Sequence, residues 1–402
     1  MLAVVSSGEL IALLLKLRVT IFELVLQRQL RLQPIATFSC QALRLLCQCS
    51  LEFVIEALLK LHPHFLADKR AGMRARAAGV IQGLTGSNDG ISALIERKSR
   101  LIPALLHLLG GTELEATPAV TALVNLTGFS EVATLAVHNG VVERAMDCLR
   151  EGCQIELHLM LLVNITNTEG GLSIFCQEGK HLEGFYITRI AQMMLKEISS
   201  CNADHCARIL TNVTRHPIGR RVFLDHSLGF LRAVLPTISS SSSARRLAFF
   251  SALRNCCVDE LSCHALLTNP DLCETSTCTM AMDEYSHSKL YGCDLSNVTT
   301  AAKDIVCALL RPISGSKLHV ECCDTVRQAC AEAVANLARS ESGRAALVAC
   351  EAPKLIKSGY DVEEHRETQE AMEVAAAQFL THGVVPLSMQ PSGGLHRAEI
   401  LS

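Results

Sequence analysis

The sequence contains no tryptophan, and all its aromatic residues together make up only 4% of the chain. So few rings leave no stacking platform for single-stranded nucleic acid, and a net charge of −3 gives no global field for phosphate or membrane. Alternating β patterns are missing too. The 49% hydrophobic share leans on Ala and Leu, which favours helices over sheets. The nineteen cysteines include no Cys-x-x-Cys pair, the ligand spacing a zinc ribbon needs. A chain of 402 residues is also far too long for a secreted disulfide scaffold. The thiols therefore read as small core residues of a reducing cytosol, with Cys201, His205 and Cys206 the one place for a peripheral zinc or redox site. Glu9, Lys16 and Arg18 interrupt the apolar N-terminus before a membrane-spanning length, and no basic leader precedes it. Absent as well are a Walker loop, a Rossmann glycine fingerprint, a nucleophile elbow and a His-Glu-x-x-His helix. The expectation is a cytoplasmic, non-enzymatic protein without cofactor or metal, monomeric, and without nucleic-acid or membrane partners. A thiol or zinc hydrolase is the enzymatic alternative.

What the chain does have is a recurrence. "ALVNLTG" at 122–128 returns as "LLVNITN", "ILTNVTR" and "ALRNCC". Asn125, Asn164, Asn212, Asn255 and Asn336 are separated by 39, 48, 43 and 81 positions, the last gap reading as two periods. Gly83 in "GLTG" keeps the frame without the amide. Helical armadillo and HEAT arrays repeat at roughly 40–47 residues. Within one unit, 130–140 reads as a short helix closed by Gly140, 141–152 as a second stopped by Gly152, and 154–166 as a longer third. Residues 95–127 repeat this build, with Thr117 as N-cap and Pro118 at the first helical position. The fold class is all-α, an armadillo/HEAT-like right-handed superhelical solenoid.

At 100° per residue, Asn125 lies at about 140° from Val120, off the core stripe of its helix. Third helices of such a solenoid line its concave surface, where a carboxamide can offer a donor and an acceptor to an extended chain. Equally, each Asn can bond the backbone of the neighbouring repeat and stiffen the stack. The sequons at Asn125, Asn164 and Asn212 fall inside apolar runs where a glycan would prevent packing; a fourth is at Asn297.

Charge is unevenly distributed. Residues 207–254 hold eight arginines against Asp225 alone, and 255–304 hold eight acids against Lys289 and Lys303. Either the surface is electrostatically polar or the two blocks neutralise each other on folding. On the first reading Arg208, Arg215, Arg245, Arg246 and Arg254 form a patch for an acidic segment of a protein partner. Asn125, Asn164, Asn212, Asn255 and Asn336 then hold its main chain. The expected layout is an N-terminal extension (1–50), armadillo-like repeats (51–269), an irregular insertion or degenerate repeat (270–320), further repeats (321–380) and a disordered tail (381–402).

"ILTNVTRHPIGRRVFL" (209–224) and "ARRLAFFSALRNCCVDELSCHALL" (244–267) resemble the protein HGH homolog family, armadillo-type proteins of the eukaryotic cytosol. The Asn-x-x-Arg-His-Pro turn falls on Asn212, Arg215, His216 and Pro217, and the Leu-Arg-Asn-Cys-Cys run on Leu253 to Cys257. Similarity covers 67–269 and 321–380. The resemblance implies a co-chaperone that assists folding of elongation factor two with the cytosolic chaperonin. A general armadillo scaffold or transport adaptor binding an extended peptide is the alternative.

Overall fold

The computed structural model describes residues 65–196, 201–269, 298–315 and 321–382. The expectations for 1–50, for 381–402 beyond residue 382, and for most of 270–320 lie outside these residues, as does Asn297. The described chain forms one unit of stacked helices with no strand among the described residues.

Three helices make a repeat. Repeat 1 is represented by its third helix, α1 (Ala71–Leu84). Repeat 2 is α2 (Asn88–Ile95), α3 (Lys98–Leu108) and α4 (Glu113–Leu126). Repeat 3 is α5 (Ser130–His138), α6 (Val141–Glu151) and α7 (Ile155–Thr166). Repeat 4 is α8 (Glu169–Cys176), α9 (Phe185–Lys196) and α10 (Cys201–Val213). Repeat 5 is α11 (Pro217–Leu224), α12 (Phe230–Val234, continued by a 3-10 turn) and α13 (Ser243–Cys256). Repeat 6 is α14 (Glu260–Leu267), α15 (Thr300–Leu310) and α16 (Asp324–Leu337). Repeat 7 is α17 (Glu341–Ala349), α18 (Ala352–Tyr360) and α19 (Arg366–Thr381). Each third helix packs on the next, from α1 through α19.

The local causes are visible in repeat 3. Gly140 and Gly152 both sit at φ 77°, a left-handed conformation glycine adopts without strain, and they separate the helices as expected. In α6, Val141, Val142, Ala145, Met146, Cys148 and Leu149 are buried, the spacing of one helical face. In α7, Leu159, Leu161 and Leu162 are wholly buried, each stabilising by roughly 1.5–3 kcal/mol.

Two expectations are corrected. Helix α4 starts at Glu113, not at Pro118: Thr112 is the N-cap, and a capping box pairs it with Glu115. Pro118 lies inside the helix, near enough to its start that the carbonyl it leaves without an N–H belongs to exposed Leu114. The 81-residue gap between Asn255 and Asn336 is one repeat, not two, because α13 packs directly on α16. Residues 298–315 supply the second helix of that repeat, with Ile305, Val306 and Leu309 wholly buried.

A further regularity went unread in the sequence. Seven residues after the Asn frame stand Gly90, Gly171, Gly219 and Gly343, each pressed on a carbonyl at the end of the preceding third helix. A Cβ at Gly219 would lie 1.8 Å from the Val213 oxygen, so the turn into the next first helix closes only on glycine. Ser87, Thr168 and Ser340, three residues earlier, cap these helices by accepting from the glycine N–H. The Ser/Thr-x-x-Gly spacing in register with the Asn frame was the available signal.

Candidate functional site

The amides of the third helices form a ladder. Asn125 Nδ2 donates to Thr85 Oγ1 at 2.8 Å. Asn164 Nδ2 donates to the Val124 carbonyl at 2.9 Å and to Thr127 Oγ1 at 3.2 Å. Asn212 Nδ2 donates to the Val163 carbonyl at 3.1 Å and to Thr166 Oγ1 at 3.0 Å. Asn255 Nδ2 donates to the Thr211 carbonyl and to Thr214 Oγ1, both at 3.0 Å. Each threonine hydroxyl in turn donates to a carbonyl of its own helix, at 2.6–2.9 Å.

The Asn-x-Thr triplets that look like sequons are thus the rungs of this ladder. Asn holds the repeat before, and Thr two positions on receives the Asn of the repeat after. A glycan is attached through Nδ2, where both hydrogens are already engaged at Asn164 and Asn212. Because the Val124 and Val163 carbonyls can only accept, the orientation of these amides is forced. The donors are turned into the stack and Oδ1 is left on the outer side. The expectation that these amides offer donor and acceptor together is corrected at Asn164, Asn212 and Asn255, where the acceptor alone remains, whereas Asn125 uses one N–H and keeps the other. Asn125 is exposed, Asn164 and Asn212 half-buried, and Asn255 buried. At repeat 6 the ladder stops, because Cys257 stands where threonine would, and the half-buried side chain of Asn336 makes no hydrogen bond among the described residues.

The arginines do not form the free patch expected of them. Arg245 pairs with Asp204 on α10 at 2.5 Å. Arg246 grips Glu321 through two bonds of 2.7 and 2.8 Å and also donates to the Ser240 carbonyl at 2.7 Å. Arg254 bonds Glu332 on α16 at 2.8 Å. Arg220, 9% exposed, reaches Asp259 at 2.7 Å and caps α10 through the Thr214 and Arg215 carbonyls. Arg215 is exposed, yet its Nη2 caps α7 at the Thr166 and Asn167 carbonyls, at 2.9 and 3.1 Å. Of the arginines singled out as a partner patch, Arg208 on α10 is exposed and without hydrogen bond or ion pair among the described residues.

These pairings shift the acids. Burial alone would raise Glu321, but the hydrogen bonds from Arg246 and the Cys323 N–H hold it below the usual carboxylate range. Glu363 is likewise lowered: burial opposes, and the hydrogen bond from Arg327 outweighs it. The same contest lowers Glu115, where Arg74 and Thr112 prevail.

Among the described residues no three His, Cys, Asp or Glu side chains gather to hold a metal, so Cys201, His205 and Cys206 form no such group. Cys256, Cys257 and Cys330 are buried and free, and burial pushes their thiols far up; Cys176 reaches about 12. Such thiols stay protonated at neutral pH and are poor nucleophiles. No single described helix is long and apolar enough to cross a membrane; α7 and α8 reach that length only together, across a 116° bend.

Known proteins resemble the chain in both sequence and fold. The profile of a domain of unknown function (DUF383) matches residues 148–321. The Protein HGH1 homolog of Dictyostelium discoideum is 26% identical over 218 residues, 52% of this chain and 60% of that protein. The Xenopus tropicalis Protein HGH1 homolog is 30% identical over 220 residues, 51% of this chain and 58% of that one. The chain is similar in sequence to the HGH1 homolog family. It spans about three-fifths of the length of these relatives. Among solved structures, a designed armadillo repeat protein in complex with the peptide (KR)4 superimposes with a TM-score of 0.52 over 69% of this chain and 99% of that one. At 12% identity this likeness concerns the fold, and it makes this HGH1 relative an armadillo-like helical repeat protein.

Proposed function

We propose that the chain is a non-enzymatic adaptor that binds another protein along its third-helix face. The observation that carries this reading is the outward row of Asn125, Asn164 and Asn212 carboxamide oxygens beside the exposed guanidinium of Arg208. A solenoid built this way holds a fixed line of polar groups on rigid helices, which suits recognition of a main chain more than turnover of a small molecule. The finer reading is a cytosolic co-chaperone that assists folding of elongation factor two together with the cytosolic chaperonin. Its support is the family resemblance. A general scaffold or transport adaptor for an extended peptide draws on the same face and differs in the client.

Affinity purification from cytosol, with chemical cross-linking and mass spectrometry, tests both levels. The expected result is elongation factor two and chaperonin subunits in the eluate, with client cross-links near Asn125, Asn164 and Arg208. Cross-links confined to the second helices α3, α6 and α9 would refute the third-helix face. Clients of a different kind on the intended face would leave the adaptor and remove the co-chaperone.

A further inference from the structure

We infer that Arg208 seats a carboxylate of an acidic, extended protein segment, and that this segment meets the third-helix face through main-chain N–H groups. The inference rests on the protein-binding reading above and adds the chemistry of what is bound.

The argument begins with what the amides have left to offer. Both Nδ2 hydrogens of Asn164 and of Asn212 are engaged by a carbonyl and a threonine hydroxyl of the preceding repeat. The outer atoms of this row are therefore acceptors. They repel carbonyl and carboxylate oxygens and pair with N–H groups, which an extended backbone presents along its edges. A partner that needed both a donor and an acceptor from each amide would find half of its bonds unmade, at the usual cost of an unsatisfied polar group.

The charge along the row then decides which side chains can lie there. One turn before the Asn frame stand Gly79, Thr121, Met160 and Arg208, on α1, α4, α7 and α10. None of these is acidic. The four carboxylates of α4, α7 and α10 lie further toward the helix starts, and two of them are taken, Glu115 by Arg74 and Asp204 by Arg245, while Glu156 lies 3.9 Å from His205 and Glu113 opens α4. Arg208 and Asn212 share one face of α10, a single turn apart. Arg215 follows at the end of that helix, its charge on the same edge although its Nη2 caps α7. A Lys- or Arg-rich chain lying on the amides would meet two guanidinium groups and no acid one turn before the Asn frame on α4, α7 or α10. An acidic chain meets a guanidinium with no competing partner, and the planar fork of arginine suits a carboxylate.

The test uses the full chain and fluorescence anisotropy with three labelled twelve-residue peptides in which Ser alternates with Glu, Gln or Lys. The Glu peptide is expected to bind tightest and to weaken as salt rises. Arg208→Gln should weaken the Glu peptide about tenfold and leave the Gln peptide unchanged. Backbone N-methylation of the Glu peptide should abolish binding. An unchanged melting curve for Arg208→Gln separates these losses from misfolding, since the side chain is exposed and makes no hydrogen bond or ion pair among the described residues. Lys or Gln peptides binding as tightly as Glu, or an Arg208→Gln chain indifferent to the Glu peptide, would overturn the acidic seat and leave the protein-binding face standing. Failure of all three peptides to bind would remove both.

Discussion

Repeats 3 and 4 are fastened to their predecessors mainly by neutral side chains, whereas repeats 6 and 7 are fastened by charged ones. In the first region Asn164 and Asn212 each bridge to a carbonyl and a threonine of the preceding helix. In the second, Arg246 binds Glu321, Arg254 binds Glu332, and Arg327 binds Glu363 through two bonds of 2.8 Å. Repeat 5 has both, since Asn255 continues the ladder while Arg245 holds Asp204. The changeover coincides with Cys257, the position where a thiol replaces the threonine rung. One architecture thus uses two chemistries for one task. Where the amide ladder runs, Lys98 still pairs with Glu131 and Arg215 still caps α7 across repeats, but Arg208 is left to solvent. Where the ladder ends, arginines that look like a binding patch are consumed by the stack.

The largest difference between the two regions should appear in acid. Glu321 and Glu363 have folded-state pKa values below their unfolded ones, so their stabilisation is complete above the unfolded pKa of about 4.5 and is lost as pH falls through the lowered values. Hydrogen exchange followed from pH 6 to pH 3 should show α16 and α19 losing protection below about pH 4.5, ahead of α7. Simultaneous loss in both regions would erase the distinction. Next in size is Glu321→Gln. It leaves Arg246, only 18% exposed, without its counter-charge, at about 2–3 kcal/mol once partial exposure is discounted. Urea unfolding would measure this, and a loss under ~0.5 kcal/mol would mean the pair is decorative. Smaller, and opposite in sign, is Cys257→Thr. A hydroxyl there restores the rung for Asn336 and should stabilise by up to ~1 kcal/mol in the same assay. A net loss would show that the charged region has abandoned the ladder geometry altogether.

Much of the fold could be read before any coordinates, because the period and the glycine breaks are local. Gly140 and Gly152 stop helices α5 and α6, and the recurring Asn marks five of the seven third helices. What could not be read depends on contacts between repeats. The spacing from Asn255 to Asn336 suggested two units because chain length does not distinguish a repeat from an insertion within one. The arginine block looked free because Glu321 and Glu332 lie 75 and 78 positions away in sequence from Arg246 and Arg254. The ladder itself was half legible. Asn was seen to recur, and Thr two positions later recurs with it at 127, 166 and 214 in the same register. Pairing the two residues across repeats would have assigned the Asn donors from the sequence.

Asn164→Asp tests the ladder most directly. The substitution is isosteric and keeps the outward acceptor, but it places an oxygen where Nδ2 now faces the Val124 carbonyl and Thr127. Urea unfolding at pH 7 should show a loss of about 2 kcal/mol, the cost of an unmade buried bond plus repulsion between two acceptors. A variant as stable as the parent would contradict the ladder, and with it the claim that only the carbonyl edge of these amides faces a partner.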